Sequence, residues 1–462
     1  MAEKQGFGID RDTFFHIEDD SERRAHLLNH ICAPQTEDNP TIPMSPDVLD
    51  DIRNLGVPDA QIKKTRRRVF RDIEMDLPDA VAARATNNNR LIMWPIAWRA
   101  GSDDDDGTTS FPPTADDDVE RYPSALMRTV QGDYVHAAVQ TRSGPHTIHW
   151  HGFAPSPAHD GVGHSSFEIG GAHDMAFDGA FIYQYQTNQV GTYFYHCHKN
   201  TVLHFEMGMF GGFIVDPPSP DPNLPAPYWT GQGYVAGRLT NSPPGTKLLR
   251  YDKEQIWIVD DMDGKWHNTD GNSDPDHAHN MQACAPLDPA GADTFYSYNP
   301  TPASDEFNLN EFNPNIFAVS GRFLNYGQTG PGGTAQPSDY FTGLLDDGGG
   351  LINVSASVGE KVLIRFLNAA YTITELVLPV EGTIIAWDGQ PLGIGGKHRY
   401  SRPYVVPAGT PIRTTTARRF DMIIDTARTG PFSGEGEIRY YHWVKAKQNG
   451  LIAVVQIPVD IV

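Results

Sequence analysis

The chain has 462 residues, enough for about two to four domains. Its formal net charge of −22 argues against a nucleic-acid partner, which requires a basic face. Three Cys cannot build a disulfide scaffold, and no apolar run of about 18 residues is present to span a membrane. The acid excess reads most plainly as a solvated surface, with a cationic substrate or a basic redox partner as the sharper alternative. Gly and Pro make up about 17% of the chain, which means many turns without low complexity. Against 3 Cys stand 18 His, ten of them between His136 and His204. That clustering points to a metal site before any motif is read.

The first residues, MAEKQGFGIDRDTFFHIEDD, lack the basic and apolar regions of a signal peptide. The chain reads as one that stays inside the cell or one whose leader has been removed. Residues 1–66 are polar, with helical patterns over 21–32 and 46–68, and read as an N-terminal arm. From residue 68 onward short β-branched and aromatic runs recur, cut by Gly, Pro, Asn and Asp. They fall at 90–98, 134–140, 191–196, 254–259, 361–367, 419–424 and 451–457. This spacing predicts an all-β sandwich or barrel. Residues 101–118 carry two acidic blocks and read as a surface insertion. Residues 216–244, rich in Pro and Gly, read as an inter-domain linker.

An internal repeat is visible. YFYHCHKN leads to GGFIVD, and near the C-terminus RYYHWVKA leads to NGLIAVV. HTIHWHG has a faint counterpart in YTITELV, and GDYVHAAVQ precedes the first copy as GEKVLIRFLN precedes the second. Two copies of one β-sandwich are predicted, the first keeping the metal-type residues and the second losing nearly all of them.

In an extended HTIHWHG, side chains alternate faces with period two. His149 and His151 then share one face and Trp150 takes the other. In YHCHK, His196 and His198 share a face and Cys197 points the opposite way. Two such segments side by side bring four imidazoles to one spot with a thiolate behind them. His204 follows Cys197 by seven residues, Met209 follows His204 by five, and His146 precedes His149 by three. Two His, one Cys and a weak axial Met form the ligand set of a blue-copper centre. Met207 competes for the axial position. Met209 is favoured because a tight His-to-Met loop, turned by the glycines of MGMFGGF, brings both side chains to one metal. The plainer alternative is a set of core histidines beside a buried Cys, which does not account for two paired motifs about 45 residues apart. Structural zinc, the other competitor, prefers more Cys.

HTIHWHGF, GTYFYHCHKN and the MGM and GGFIVDP segments that follow resemble the multicopper oxidase family of cupredoxin proteins. GEKVLIRFLNAA, IIAWDGQPL and ARRFDMIIDTA are similar to that family's copper-free domain. The resemblance covers most of residues 68–462 and does not extend to the arm. It implies an all-β fold of two cupredoxin-like Greek-key β-sandwich domains with a partly helical N-terminal arm. The divisions would be an arm at 1–66, a copper-binding domain at 67–218, a linker at 219–250 and a copper-free domain at 251–462. It also implies a laccase-like oxidoreductase in which type 1 copper takes electrons from a small reducing substrate or a redox partner protein. The Cys-His peptide would pass them to a trinuclear cluster of type 2/3 copper that reduces O2 to water. Carried to this chain, the type 1 ligands are His146, Cys197, His204 and Met209. The cluster histidines are His149, His151, His196 and His198, and Cys197, His196 and His198 carry the electron transfer. The resemblance places such a protein in the periplasm or outside the cell.

The chain departs from the family in two ways. The family's first domain usually has no Cys where Cys197 stands, and its cluster takes eight histidines from four HxH motifs. This chain has two clear ones. In domain two Tyr371, Thr374 and Leu376 or Val377 replace the HTIHWHG histidines, and Trp443 and Val444 replace Cys197 and His198. Only His442 survives, matching His196. Three arrangements complete a site. Two domain-one faces in contact supply eight histidines, or His277 and His279 add a third HxH. The third is a mononuclear type 2 copper, which a secondary resemblance to copper nitrite reductases implies. His146/His151, His196/Cys197 and His204/Met209 fit that relative's spacings, nitrite is then the substrate, and His442 of a neighbouring subunit becomes the third ligand. The plainer reading of His442 is a relic at a domain interface. A homo-oligomer, trimer or dimer, follows from the missing ligands. A non-catalytic blue-copper electron carrier is the rival from another class. His159, His164 and His173 lie in a polar loop with Asp160 and Glu168, two candidate proton donors. Cys32 and Cys284 are a candidate disulfide or two buried thiols. His16, His26, His30, His267 and His398 fit no pattern.

Overall fold

The computed structural model describes residues 62–65, 67–70, 73–76, 90–93, 96–99, 122–140, 146–162, 180–198, 201–264, 312–323, 334–335, 352–394, 401–442 and 450–462. Strands dominate them. The helical elements are Thr201–Glu206, Thr426–Thr429 and a single turn at Pro157–His159. The all-β expectation holds. Six of the seven sequence-predicted runs lie within single strands, among them Tyr134–Gln140, Gly191–His196 and Lys361–Asn368. The seventh divides into Arg90–Met93 and Ile96–Arg99 around Pro95, which has no N–H to give a ladder.

Domain one has two sheets. In the first, Tyr134–Gln140 pairs antiparallel with Ala180–Gln186 and parallel with Ile62–Thr65 and the end of Arg67–Phe70. In the second, Phe210–Asp216 lies between Ser124–Val130 and Gly191–His196. An aromatic layer fills the space between them. Trp150 meets Tyr183, Tyr185 and Phe213 at ring-centroid distances of 5.8, 4.9 and 5.6 Å. The helical reading of 46–68 is corrected at its end. Residues 62–65 and 67–70 are strands, because the edge of Tyr134–Gln140 offers backbone groups that outweigh local preference. The sheet therefore begins inside the stretch assigned to the arm. The remainder of that arm and the acidic insertion at 101–118 lie outside the described residues.

Domain two is a larger sandwich. Lys253–Met262, Lys361–Asn368 and Arg419–Asp425 form the centre of one sheet. Ile373–Val377, Phe432–Tyr441 and Leu451–Ile461 form the centre of the other. Alternate residues Val362, Ile364 and Phe366 face Leu376, Ile438 and Val455 across the core. The repeat holds at the level of pairing. Gly191–His196 and Phe210–Asp216 are antiparallel neighbours, as are Phe432–Tyr441 and Leu451–Ile461. The predicted linker is more than a linker. It contains the strand Gly233–Ala236, which forms a hairpin with Leu248–Tyr251 at its far end, and Val235, Leu249 and Tyr251 pack on Leu363, Ile385 and Ile423 of domain two.

Two kinds of contact join the domains. One is apolar: Tyr122, Phe194, Phe205 and Phe210 pack on Ile258, Met262, Ile316 and Leu367. The other is a buried ionic network. Arg128 binds Asp216 and Glu254, each at 2.6 Å, and Arg365 binds Glu254 at 2.7 Å and Asp421 at 3.5 Å. Burial pushes the Glu254 carboxyl up, but Arg128 and Arg365 outweigh it and hold the group at about 2. Glu254→Gln leaves two buried guanidinium groups short of a counter-charge, so it should cost about 3–5 kcal/mol in denaturant unfolding at neutral pH. Because the folded pKa is depressed, the Glu254 contribution is complete above the ordinary carboxylate value of 4.5 and is lost as pH falls toward about 2. The stability gap between the native protein and Glu254→Gln should narrow across that window.

Candidate metal centre

The strand Gly191–His196 is buried along its whole length and runs straight into Cys197. Its return partner Phe210–Asp216 sets Phe210 opposite His196. The pairing continues one residue further, with the Cys197 N–H donating to the Met209 carbonyl at 3.0 Å. Between them Thr201–Glu206 makes a short helix, and the Met209 N–H donates to the His204 carbonyl at 2.9 Å. Gly208, at φ +90°, makes the tight return, a conformation that costs other residues. On the opposite edge, His149 and His196 exchange backbone hydrogen bonds of 2.7 and 3.0 Å.

These pairings sort the donors onto two faces. On one face Cys197 Sγ lies 3.6 Å from His146 Nδ1 and 3.1 Å from His204 Nδ1. All three residues are buried, and their donor atoms lie within 4.8 Å of one another. Donors about 2.0–2.3 Å from one metal at trigonal or tetrahedral angles stand roughly 3.3–3.9 Å apart, so the His146 distance fits a shared ion and the His204 distance needs only a slight widening. Met209 is buried and paired across from Cys197, and cross-strand partners point to the same side. Met207 is also buried but lies outside that register.

On the other face His149, His151 and His196 offer donor atoms within 4.8 Å of one another. His151 Nδ1 is 3.2 Å from His196 Nε2. His198 lies outside that donor-atom grouping, although its ring stands 5.0 Å from His149 and 5.8 Å from His196, much as the rings of the set stand to one another. Its N–H donates to Thr147 Oγ1 at 3.0 Å, tying the two histidine segments together. Two tautomers are fixed by backbone carbonyls. His149 Nδ1 donates to the Asp160 carbonyl at 2.7 Å, and His196 Nδ1 to the Cys197 carbonyl at 2.8 Å. Each leaves Nε2 as a lone-pair donor. The Asp160 carboxylate stands 3.3 Å from the same His149 nitrogen. Burial is the largest cause that lowers the proton affinity of His151, His196 and His198. Arg419 and the neighbouring imidazoles take His151 further, to about 3. The three rings are neutral at pH 7, the form that binds metal.

His442 sits apart from both sets. It is buried in domain two, its Nε2 donates to the Phe312 carbonyl at 3.1 Å, and its N–H donates to the Gly450 carbonyl. The other domain-two counterparts serve the fold. Thr374 Oγ1 bonds Thr414 Oγ1 at 2.7 Å, Leu376 lies in the core, and the Tyr371 hydroxyl donates to the Val202 carbonyl at 2.6 Å. His159 is buried beside Asp160 in the turn after HWHG. His164, His173, Glu168, His277, His279, Trp443, Val444, Cys32 and Cys284 lie outside the described residues. Sequence reasoning missed Thr147 and Arg419. Thr147 was legible as the hydroxyl next to His146, whereas Arg419 reaches the site from a strand more than 200 residues away.

Residues 119–220 match the family model described as multicopper oxidase, and they contain every residue of both donor sets. The match falls on the segment that carries both paired histidine motifs, in agreement with the resemblance read from them. The chain is 27% identical over 344 residues to copper resistance protein A of Pseudomonas syringae pv. tomato, covering 73% of this chain and 47% of that protein. It is 25% identical over 310 residues to copper resistance protein A of Escherichia coli, covering 66% and 41%. The chain thus spans about half the length of the curated relatives it matches. Among solved structures, a blue copper oxidase from Nitrosomonas europaea is similar at TM-score 0.47 and 16% identity, covering 87% of this chain and 86% of that one.

The loop that backs His149 gives a direct check. Gly161 has φ +72°, and a β-carbon there would fall 1.8 Å from the Ile148 carbonyl oxygen. Gly161→Ala should therefore cost about 1–3 kcal/mol in thermal unfolding. It should also lower copper retention at the imidazole set while leaving the Cys197 set loaded, as measured by metal analysis with absorption spectroscopy.

Proposed function

We propose that this chain is a copper-dependent oxidoreductase of multicopper oxidase type, carrying electrons from a small reducing substrate or redox partner to O2. The observation that carries this reading is the tripeptide His196–Cys197–His198. Its thiolate belongs to one donor set, and an imidazole on the adjacent residue belongs to the other. His146, Cys197, His204 and Met209 would hold type 1 copper, and His149, His151 and His196 the second copper, with His198 at its border. Copper in these sets supplies one-electron redox chemistry and, at the imidazole set, a Lewis-acidic position. The protein's part is to bury the thiolate, fix the tautomers of His149 and His196, and keep the imidazoles neutral. The His196–Cys197 peptide is the covalent connection between the sets.

Three imidazoles in one group also favour a second reading, in which the second site is a mononuclear type 2 copper acting on nitrite. A trinuclear cluster calls for further imidazoles, which a second copy of the chain would bring. In the nitrite reading His442 of a neighbouring subunit is the added ligand, and it would have to exchange its bond to Phe312 for the metal. A periplasmic or extracellular location accompanies the family resemblance.

Cys197→Ser tests the assignment. The blue absorption should vanish, the second copper should remain visible by paramagnetic resonance, and O2 uptake with a phenolic or metal-ion donor should fall to background. Blue colour surviving in Cys197→Ser would sink the type 1 assignment. Nitrite consumption with an artificial donor, at a rate well above O2 uptake, would select the second reading. His442→Ala should lower type 2 copper without touching the colour only if His442 is a ligand.

A further inference from the structure

Arg419 opens a strand of domain two and is buried, yet its guanidinium reaches into domain one. Its Nε donates to the Thr192 carbonyl at 3.2 Å, and its centre stands 6.0 Å over the Phe194 ring. Both contacts fall on the strand that ends in His196. The same guanidinium lies against the turn of the HWHG motif. Gly152 has φ +83°, and a β-carbon there would fall 2.1 Å from Arg419 Nη2. One side chain therefore touches both segments that supply the imidazole set, next to His151 on one and near His196 on the other.

The charge of Arg419 is as informative as its position. The neighbouring Arg365 is paired with Glu254 and Asp421. Arg419, by contrast, gives its hydrogen bonds to the carbonyls of Thr192 and Ala417. Among the described residues no carboxylate forms an ion pair with it. Asp421 is taken up by Thr192 and Arg365, and Asp388 accepts the Arg419 backbone N–H while pairing with Arg418. Asp388 and Asp421 offset part of the cost of burying this cation at longer range, burial outweighs them, and an anion close by would relieve the remainder.

We propose that Arg419 is a positioning residue for the imidazole set and that its incompletely compensated charge sets how strongly small inorganic anions bind there. The inference rests on the reading that the set holds copper. Arg419 braces the His151 turn against the ligand strand and lowers the energy of an anion bound beside it. Domain two thereby contributes a fixed positive potential to the site of domain one.

The test uses the full copper-loaded chain with azide as the anion and imidazole as a neutral ligand. In Arg419→Gln the blue absorption should persist, while azide affinity at the second copper falls on the order of tenfold and imidazole affinity stays near its native value. Arg419→Lys should recover most of the azide affinity, because it restores charge without the planar fork. Asp388→Asn, on a half-exposed turn, should fold normally and tighten azide by roughly twofold to threefold by removing the nearest opposing charge. Equal losses of azide and imidazole in the Gln and Lys variants would reduce Arg419 to a structural strut and overturn the anion role. Unchanged azide affinity in both Arg419→Gln and Asp388→Asn would overturn the proposal entirely. A native protein with a single blue copper and no azide response would instead overturn the second-site reading, and this inference with it.

Discussion

Everything at the site depends on one backbone pairing, the two hydrogen bonds exchanged by His149 and His196. A directly opposed antiparallel pair brings side chains on one face close together. With His149 and His196 pinned, period-two alternation does the rest. His151 falls beside them, Trp150 turns into the aromatic core, and Cys197 turns toward His146 and His204. A register slip of one residue would exchange the faces and mix thiolate with imidazoles. The buried Trp150, locked between Tyr183, Tyr185 and Phe213, makes such a slip costly.

Domain two holds this register from outside. Thr192 on the ligand strand gives its hydroxyl to Asp421, accepts from Arg365 at 2.8 Å, and offers its carbonyl to Arg419. The Tyr193 hydroxyl donates to the Gly389 carbonyl at 3.2 Å, and Phe194 joins the apolar interface. Three consecutive residues just before the ligands are thus gripped by domain two. The second sandwich has exchanged its metal donors for a bracing role, with Thr374 and Leu376 serving its own core.

Local patterns were legible in the sequence and long-range ones were not. Strands such as Tyr134–Gln140 and Lys361–Asn368 announced themselves because alternation and turn residues are short-range signals. The division of His146, Cys197 and His204 from His149, His151 and His196 followed from period two together with the family resemblance. The strand at Ile62–Thr65 was read as helix because its partner, Tyr134–Ala137, lies some 70 residues away. The hairpin that begins inside the Pro- and Gly-rich stretch was hidden for the same reason, since its apolar residues matter only against Leu363 and Ile385. His198 was placed with the imidazole set by alternation, and although the strand ends at His196 the His198 ring stands 5.0 Å from His149. Arg419 had no local signal at all, because its meaning lies in a carbonyl and a glycine of the other domain.

The central claim is that one domain holds two separate copper sites back to back across a single peptide. Copper per chain, measured on the native protein together with its blue absorbance and assembled mass, tests it most directly. Two or more coppers per chain are expected, only one of them blue. A single blue copper per chain, at whatever assembled mass, would contradict it and leave an electron carrier in its place.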